Sequence, residues 1–237
     1  MPVFRLTKAL LFPPCYYAEP DGLLAVGGDL SPERLLLAYR LGIFPWYSEY
    51  TPILWWSPDP RLVLFPQELK VAKSLQRSIK KNLFKVTINK AFRDVIMQCA
   101  EVRRNHGEET WIVPEMMDAY CLLHRLGYAH SVESWYQGEL VGGLYGVALG
   151  RVFFGESMFT KRTDASKVAL VHLIRLLHHW QFELVDCQVT THHLKTFGAR
   201  EIPRKEFLRR LASAVSLGNP TKSELWMSGE LSILSAC

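Results

Sequence analysis

The sequence predicts an α+β fold with a mostly antiparallel sheet, and three observations lead there. Runs of strand-forming residues from His130 to Tyr136, Glu139 to Ala148 and Arg151 to Met158 are separated only by Gln137-Gly138 and Leu149-Gly150, which are hairpin turn signals. A helix from about Asp164 to Trp180 follows them. Then comes one more strand, Leu184-Val185-Asp186-Cys187-Gln188-Val189-Thr190, and a short helix ending near Gly198. Strands, helix, strand, helix is the order of an α+β domain. With 237 residues, 49% of them hydrophobic, the chain fills one large domain or one domain with a smaller appendage.

The first 60 or so residues are punctuated by Pro, Gly and aromatics. Ser31-Pro32-Glu33 opens a helix, with Ser as N-cap and Pro at the first helical position, and Gly42 closes it. Ile43 to Tyr47 and Ile53 to Arg61 contain prolines that allow only short extended pieces. Gly27-Gly28-Asp29 reads as a turn, since it lacks the Lys-Ser/Thr of a phosphate loop and the third glycine of a dinucleotide site. This part, residues 1–62, reads as a small N-terminal domain, and residues 63–237 as the main domain. Residues 68–82 read as an amphipathic helix with Leu69, Ala72, Leu75 and Ile79 on one side. On the other side Lys70, Lys73, Arg77, Lys80 and Lys81 share an arc of about 100°. Between residues 66 and 106 ten basic residues face three acidic ones, although the whole chain nets only +5, so the positive charge is local. A helix from Pro114 to Gly127 precedes the hairpins, and Gly142, Gly143 and Gly146 mark a bulge or a close backbone approach in the middle strand. The polar, weakly patterned tail from about 218 is expected to be poorly ordered.

Several function classes drop out. No apolar run approaches the roughly 20 residues that span a bilayer, and the N-terminus lacks a signal-peptide apolar region, so a cytoplasmic protein is expected. Five scattered cysteines show no zinc spacing and predict no disulfide. A metal site of His192, His193 and Asp186 is disfavoured, because adjacent histidines in a regular element point apart and no H-x-x-x-H is present. No metal and no cofactor are expected. Gly155-Glu156-Ser157-Met158-Phe159 lacks the second glycine of a nucleophile elbow, which argues against a serine hydrolase.

The strand around Asp186 is the most informative segment. Side chains alternate along a strand, so Asp186 and Gln188 share one face and Val185, Cys187 and Val189 the other. Burying an unpaired carboxylate costs several kcal/mol, so something must use it. Glu156, near the end of the apolar run Val152-Phe153-Phe154, is a second strand-borne acid, and the two acids could flank a cleft. The competing possibility is that one of them pairs with a buried Arg or caps a helix. Trp46, Trp55, Trp56 and Trp111 are either stacking platforms for bases or core. The basic stripe carries no interleaved Glu for i,i+4 pairing, which favours a polyanion partner over a merely solvated face.

Five ordered blocks carry a resemblance: Asp21-Gly22-Leu23-Leu24-Ala25-Val26-Gly27-Gly28-Asp29-Leu30, Gly42-Ile43-Phe44-Pro45-Trp46, Trp55-Trp56-Ser57-Pro58-Asp59-Pro60-Arg61, Gly155-Glu156-Ser157-Met158-Phe159 and Asp186-Cys187-Gln188. From about residue 12 to residue 210 the chain resembles the bacterial leucyl/phenylalanyl-tRNA protein transferases. The resemblance implies a small N-terminal domain followed by an acetyltransferase-like (GNAT) domain. It further implies transfer of Leu or Phe, and less well Met, from aminoacyl-tRNA to an N-terminal Arg or Lys of an acceptor protein, creating an N-end rule degradation signal. Asp186 and Gln188 become the catalytic pair, with Asp186 orienting Gln188, and Glu156 lies in the same site. Tyr39, Trp46 and Trp111 match the positions that surround the tRNA 3′-terminal adenosine. An apolar pocket near Met158 and Leu170, with Leu144, Leu173, Leu177 and Val185, takes the aminoacyl side chain. Lys70, Lys73, Arg77, Lys80 and Lys81 become the acceptor-stem contact. Two alternatives share some of these features. In an acyl-CoA acetyltransferase, Arg104-Asn105-His106-Gly107-Glu108-Glu109 would be the nearest approach to a pyrophosphate loop, but its two acids repel pyrophosphate. A noncatalytic RNA-binding module leaves the two strand-borne acids without a use.

Overall fold

A computed structural model describes residues 3–105, 111–217, 226 and 229–230. In the N-terminal part, β1 (Phe4–Leu6), β2 (Leu23–Gly27), α1 (Pro32–Arg40), β3 (Phe44–Pro45) and β4 (Leu54–Trp56) form a four-stranded sheet of order β1-β2-β4-β3 with one helix. The Ser31 hydroxyl accepts the Arg34 backbone N–H, which caps α1 as its sequence requires. Next come β5 (Arg61–Leu64), α2 (Lys73–Lys80), β6 (Lys85–Ile88), α3 (Phe92–Asn105) and α4 (Pro114–Arg125). The hairpin series is β7 (Ala129–Tyr136), β8 (Glu139–Leu149) and β9 (Val152–Thr160). After α5 (Ala165–His179) follow β10 (Leu184–Gln188), α6 (His192–Lys195), β11 (Arg200–Ile202), α7 (Arg204–Ser216) and β12 (Gly229–Glu230).

The second sheet has the order β11-β5-β10-β9-β8-β7-β6-β12. Its pairs are antiparallel except β9 with β10, which run parallel and are joined through α5. The mostly antiparallel α+β architecture therefore holds. One apolar layer, including Leu75, Ile79, Leu170 and Ile174, lies between this sheet and the helices α2 and α5. The other contains Val95, Met116, Tyr120 and Phe154 together with Leu35, Tyr39 and Trp55, so a single core joins α3, α4 and the small N-terminal sheet. The glycines of β8 do what their position suggests. A Cβ on Gly142 would lie 2.6 Å from that of Ala165, and one on Gly146 only 2.2 Å from the Phe154 carbonyl oxygen.

Two details differ from the sequence expectation, and three residues of the tail are placed. The helix expected over 68–82 covers only Lys73–Lys80, because the chain before it is extended and the Lys70 N–H donates to the Phe197 carbonyl. Lys70 is thus exposed beside the helix rather than on its stripe. The β10 strand stops at Gln188, where the backbone turns to φ +62°. In the tail, Trp226 is buried and stacked on His130 at 3.9 Å, and Gly229–Glu230 pairs with β6; the rest of the tail beyond 217 lies outside the described residues.

Candidate active site

The parallel register of β9 and β10 ends at Phe154 opposite Asp186. Beyond that point both strands bulge. Glu156 is the extra residue between Gly155 and Ser157, which pair with Gly146 and Tyr145, and Cys187 is the extra residue between Asp186 and Gln188, which pair with Val63 and Leu62. Bulges re-aim side chains and terminate pairing. Here they fork the sheet, and a cavity of about 430 Å³ opens in the fork.

The cavity wall is mostly apolar. Leu144, Phe153, Met158, Leu170, Leu173 and Val185 line one side, and Phe44, Pro45, Trp46, Trp111 and Tyr145 the other. Glu156, Ser157, Cys187, Gln188, Thr191 and His193 supply its polar groups. The Gln188 side-chain amide donates to Glu156 Oε1 at 3.0 Å. Tyr39 donates to the same oxygen at 2.8 Å, and Tyr120 donates to Oε2 at 2.9 Å. Burial pushes the Glu156 carboxyl up to about 7, helped by the negative charge of Asp186 and opposed by these three hydrogen bonds. Burial and the Glu156 charge hold the Tyr39 and Tyr120 phenols well above their ordinary value. Burial raises the Cys187 thiol and lowers His193, on which Lys167 also acts.

Asp186 is fully buried and does not line the cavity. Its two oxygens accept from Arg61 Nε and Nη2 at 2.8 and 2.7 Å, and Oδ1 also accepts the Gln188 backbone N–H at 2.9 Å. The buried-Arg possibility thus applies to Asp186, while Glu156 faces the cavity. With Asp186 so engaged and His192 exposed, the trio with His193 is not assembled, and among the described residues no group of three or more His, Cys, Asp or Glu is placed to hold a metal ion.

The aromatic and apolar candidates divide. Trp46 and Trp111 line the cavity, and Trp46 is 43% exposed. Tyr39 does not present a stacking face: its ring is buried against Phe154 at 4.8 Å and its hydroxyl is spent on Glu156. Leu144, Met158, Leu170, Leu173 and Val185 line the cavity as expected, but Leu177 is completely buried and is not part of the wall. Lys73, Arg77, Lys80 and Lys81 are exposed, with Leu75 and Ile79 turned inward. Of Arg104 to Glu109, residues 106–109 lie outside the described residues. Tyr120 and Arg61 escape sequence reasoning, since a Tyr in a helix and an Arg after a proline carry no local signal of a buried partner. No helix of the described residues is long and apolar enough to cross a membrane.

Residues 63–212 match the family described as leucyl/phenylalanyl-tRNA protein transferase, and residues 28–59 match its N-terminal domain. A leucyl/phenylalanyl-tRNA protein transferase from Syntrophobacter fumaroxidans is 72% identical over 215 residues, covering 91% of this chain and 92% of that protein. Proteins of the same name from Anaeromyxobacter sp. (strain Fw109-5) and Nitrosomonas europaea are 60% and 56% identical, over 95% and 91% of this chain and the same shares of their own length. A solved structure of a conserved protein of unknown function from Bacteroides thetaiotaomicron covers 66% of this chain and 55% of that one at 13% identity, with a TM-score of 0.39, too low to bear on the fold.

Proposed function

Because the chain belongs to the leucyl/phenylalanyl-tRNA protein transferase family, we propose that its forked cavity is where Leu or Phe, and less readily Met, passes from a tRNA ester to the N-terminal amine of an acceptor protein beginning with Arg or Lys. The enzyme is an aminoacyl-tRNA protein transferase. One observation carries the assignment of the site: an apolar cavity of about 430 Å³ has Glu156 and Gln188, hydrogen-bonded to each other, in its wall.

The chemistry needs little more. An aminoacyl ester is already activated, and an α-amine of pKa about 7.7 to 8.0 is partly neutral at cellular pH. The enzyme must hold the two reactants in line and manage protons. With its N–H given to Glu156, the Gln188 amide turns its carbonyl oxygen away and leaves it to accept from the incoming amine. Asp186, held by Arg61, fixes the backbone of Gln188 and acts as a positioning group. The aminoacyl side chain fills the leucine-lined side, and Trp46 and Trp111 stack on the 3′-terminal adenosine. Lys73, Arg77, Lys80 and Lys81 meet the acceptor-stem phosphates without reading sequence.

The finer architecture belongs to the same proposal. An acetyltransferase-like main domain is supported by the parallel β9 and β10, joined through α5, in an otherwise antiparallel sheet. A domain division near residue 62 is supported by the two family matches, which end at 59 and begin at 63. Acting on charged tRNA, the enzyme works in the cytoplasm, and its product carries an N-end rule degradation signal. The test mixes purified protein with radiolabelled Leu-tRNA and a protein bearing N-terminal Arg, with labelled acetyl-CoA as a parallel donor. Label moving only from tRNA is expected. Label moving from acetyl-CoA, or tRNA bound without transfer, overturns the proposal.

A further inference from the structure

Behind the cavity wall three groups meet edge to edge. Tyr39 of α1 donates to Glu156 Oε1, Tyr120 of α4 donates to Oε2, and the two phenol oxygens also lie within hydrogen-bond contact of each other. Both rings are completely buried, so the two hydroxyls lie away from bulk solvent. Three contacts need three hydrogens, and two phenols bring two. If Glu156 is a carboxylate, both phenol hydrogens go to it and the Tyr39 and Tyr120 oxygens face each other lone pair to lone pair. If Glu156 carries a proton, the count closes. Its O–H donates to one phenol, that phenol donates to the other, and the other donates back to the second carboxyl oxygen. Such a closed chain is mutually reinforcing in a low-dielectric site. The Gln188 N–H to Oε1 is compatible with either state.

Resting on the transferase assignment above, we propose that Glu156, Tyr39 and Tyr120 form a closed hydrogen-bonded ring that takes a proton from the acceptor's α-ammonium and passes one to the tRNA 3′-oxygen. Glu156, which lines the cavity, is the group that exchanges protons with substrate; Tyr39 and Tyr120 are positioning residues that act through it. The acceptor ammonium gives its first proton to the Glu156 carboxylate, closing the ring. The neutral nitrogen then attacks the ester carbonyl carbon and forms the C–N bond. As the bond from that carbon to the 3′-oxygen breaks, Glu156 protonates the departing oxygen and recovers a proton from the nitrogen. The third ammonium hydrogen stays on the amide, and the proton left on Glu156 goes to solvent.

The charged and titratable neighbours fit. Asp186, facing Glu156 from β10, favours the protonated form, and its own charge is taken up by Arg61 on its other side. Tyr145 of β8 packs edge-on against Tyr120 at 5.6 Å and faces Tyr39 as well. The raised Glu156 carboxyl, at about 7, agrees with the hydrogen count.

The experiment compares the wild type with Tyr39→Phe, Tyr120→Phe, the double Phe variant and Glu156→Gln. Infrared spectra of the free proteins are recorded across neutral pH, and kcat and KM are measured with aminoacyl-tRNA and an N-terminal Arg peptide. The expected spectrum shows a protonated-carboxyl stretch that titrates near neutrality and is absent from Glu156→Gln. Each single Phe variant should lower kcat by about tenfold or more with KM unchanged. The double variant should be no worse than the poorer single one, because the ring breaks only once. Absence of the titrating band, or a double variant whose loss is the product of the two singles, overturns the ring. A wild type that shows the band and transfers nothing from tRNA overturns the proton's role through the transferase assignment instead.

Discussion

Arg61 and Asp186 form a buried ion pair with two hydrogen bonds, at 2.8 and 2.7 Å, that ties β5 to β10 at the point where β10 bulges. The guanidinium lies between the rings of Phe44 and Phe207, 4.8 and 4.6 Å from their centroids, and Asp186 in turn anchors the Gln188 backbone N–H. The pair therefore connects the small N-terminal sheet, the core and the cavity wall. Removing one partner strands a buried charge, so Arg61→Ala should lower unfolding free energy by about 3 to 5 kcal/mol. Replacing both, with Arg61→Met and Asp186→Leu, should recover much of that stability without recovering transfer. Denaturant unfolding measures the first and label transfer the second. A cost below about 1 kcal/mol for Arg61→Ala would place the pair among those that contribute little.

Glu156 makes stability depend on pH in a stated direction. Its carboxyl is raised from 4.5 to about 7 in the folded chain, so between those values the native state binds more protons than the unfolded one. Stability contributed by the protonated group is complete below 4.5 and is lost as pH rises to about 7. Glu156→Gln should flatten that fall and gain at most about 3 kcal/mol over wild type above the window. Denaturation of both proteins at a series of pH values is the check, and parallel curves would mean that Glu156 does not titrate there.

The basic helix predicts a salt effect. Lys73, Arg77 and Lys80 are exposed and leave the core untouched when shortened. Their triple Ala variant should keep wild-type unfolding behaviour but bind aminoacyl-tRNA more weakly. The slope of log affinity against log salt should flatten by roughly 0.7 to 0.9 for each phosphate that the variant no longer neutralises. An unchanged slope removes α2 from the tRNA surface.

Leu173 and Leu177, one helical turn apart on α5, should respond differently. Leu173 lines the cavity, so Leu173→Phe fills it and should reduce transfer of Phe relative to Leu by about 1 to 3 kcal/mol of discrimination. Leu177→Ala opens a hole in the core and should cost about 2 to 5 kcal/mol of stability, with the Phe to Leu ratio unchanged. Competition assays with the two aminoacyl-tRNAs give the ratio directly. A shifted ratio in Leu177→Ala would put that residue back in the pocket.

The hairpin series was legible because Gln137-Gly138 and Leu149-Gly150 are local turn chemistry, and α1 and α5 because their starts and spans follow from neighbours in the chain. The same holds for the exposed basic face of α2, whose period is set within two turns. Periodicity also required that Asp186 be used, and the family resemblance carried by the ordered blocks implied a shared site for Asp186, Gln188 and Glu156. What lay beyond local pattern was who meets whom. Tyr39 and Tyr120 come from helices far apart in the chain to share one carboxylate, 117 and 36 residues from it. Arg61 finds Asp186 across 125 residues. Lys70 left its helix for a backbone bond to Phe197, and Leu177 turned from the pocket to the core. Each of these outcomes depends on the long-range burial of a polar group or a methyl surface, whose free energy is set by the partner delivered by the fold. A sequence determines which groups need partners; only packing at native density decides which partner arrives.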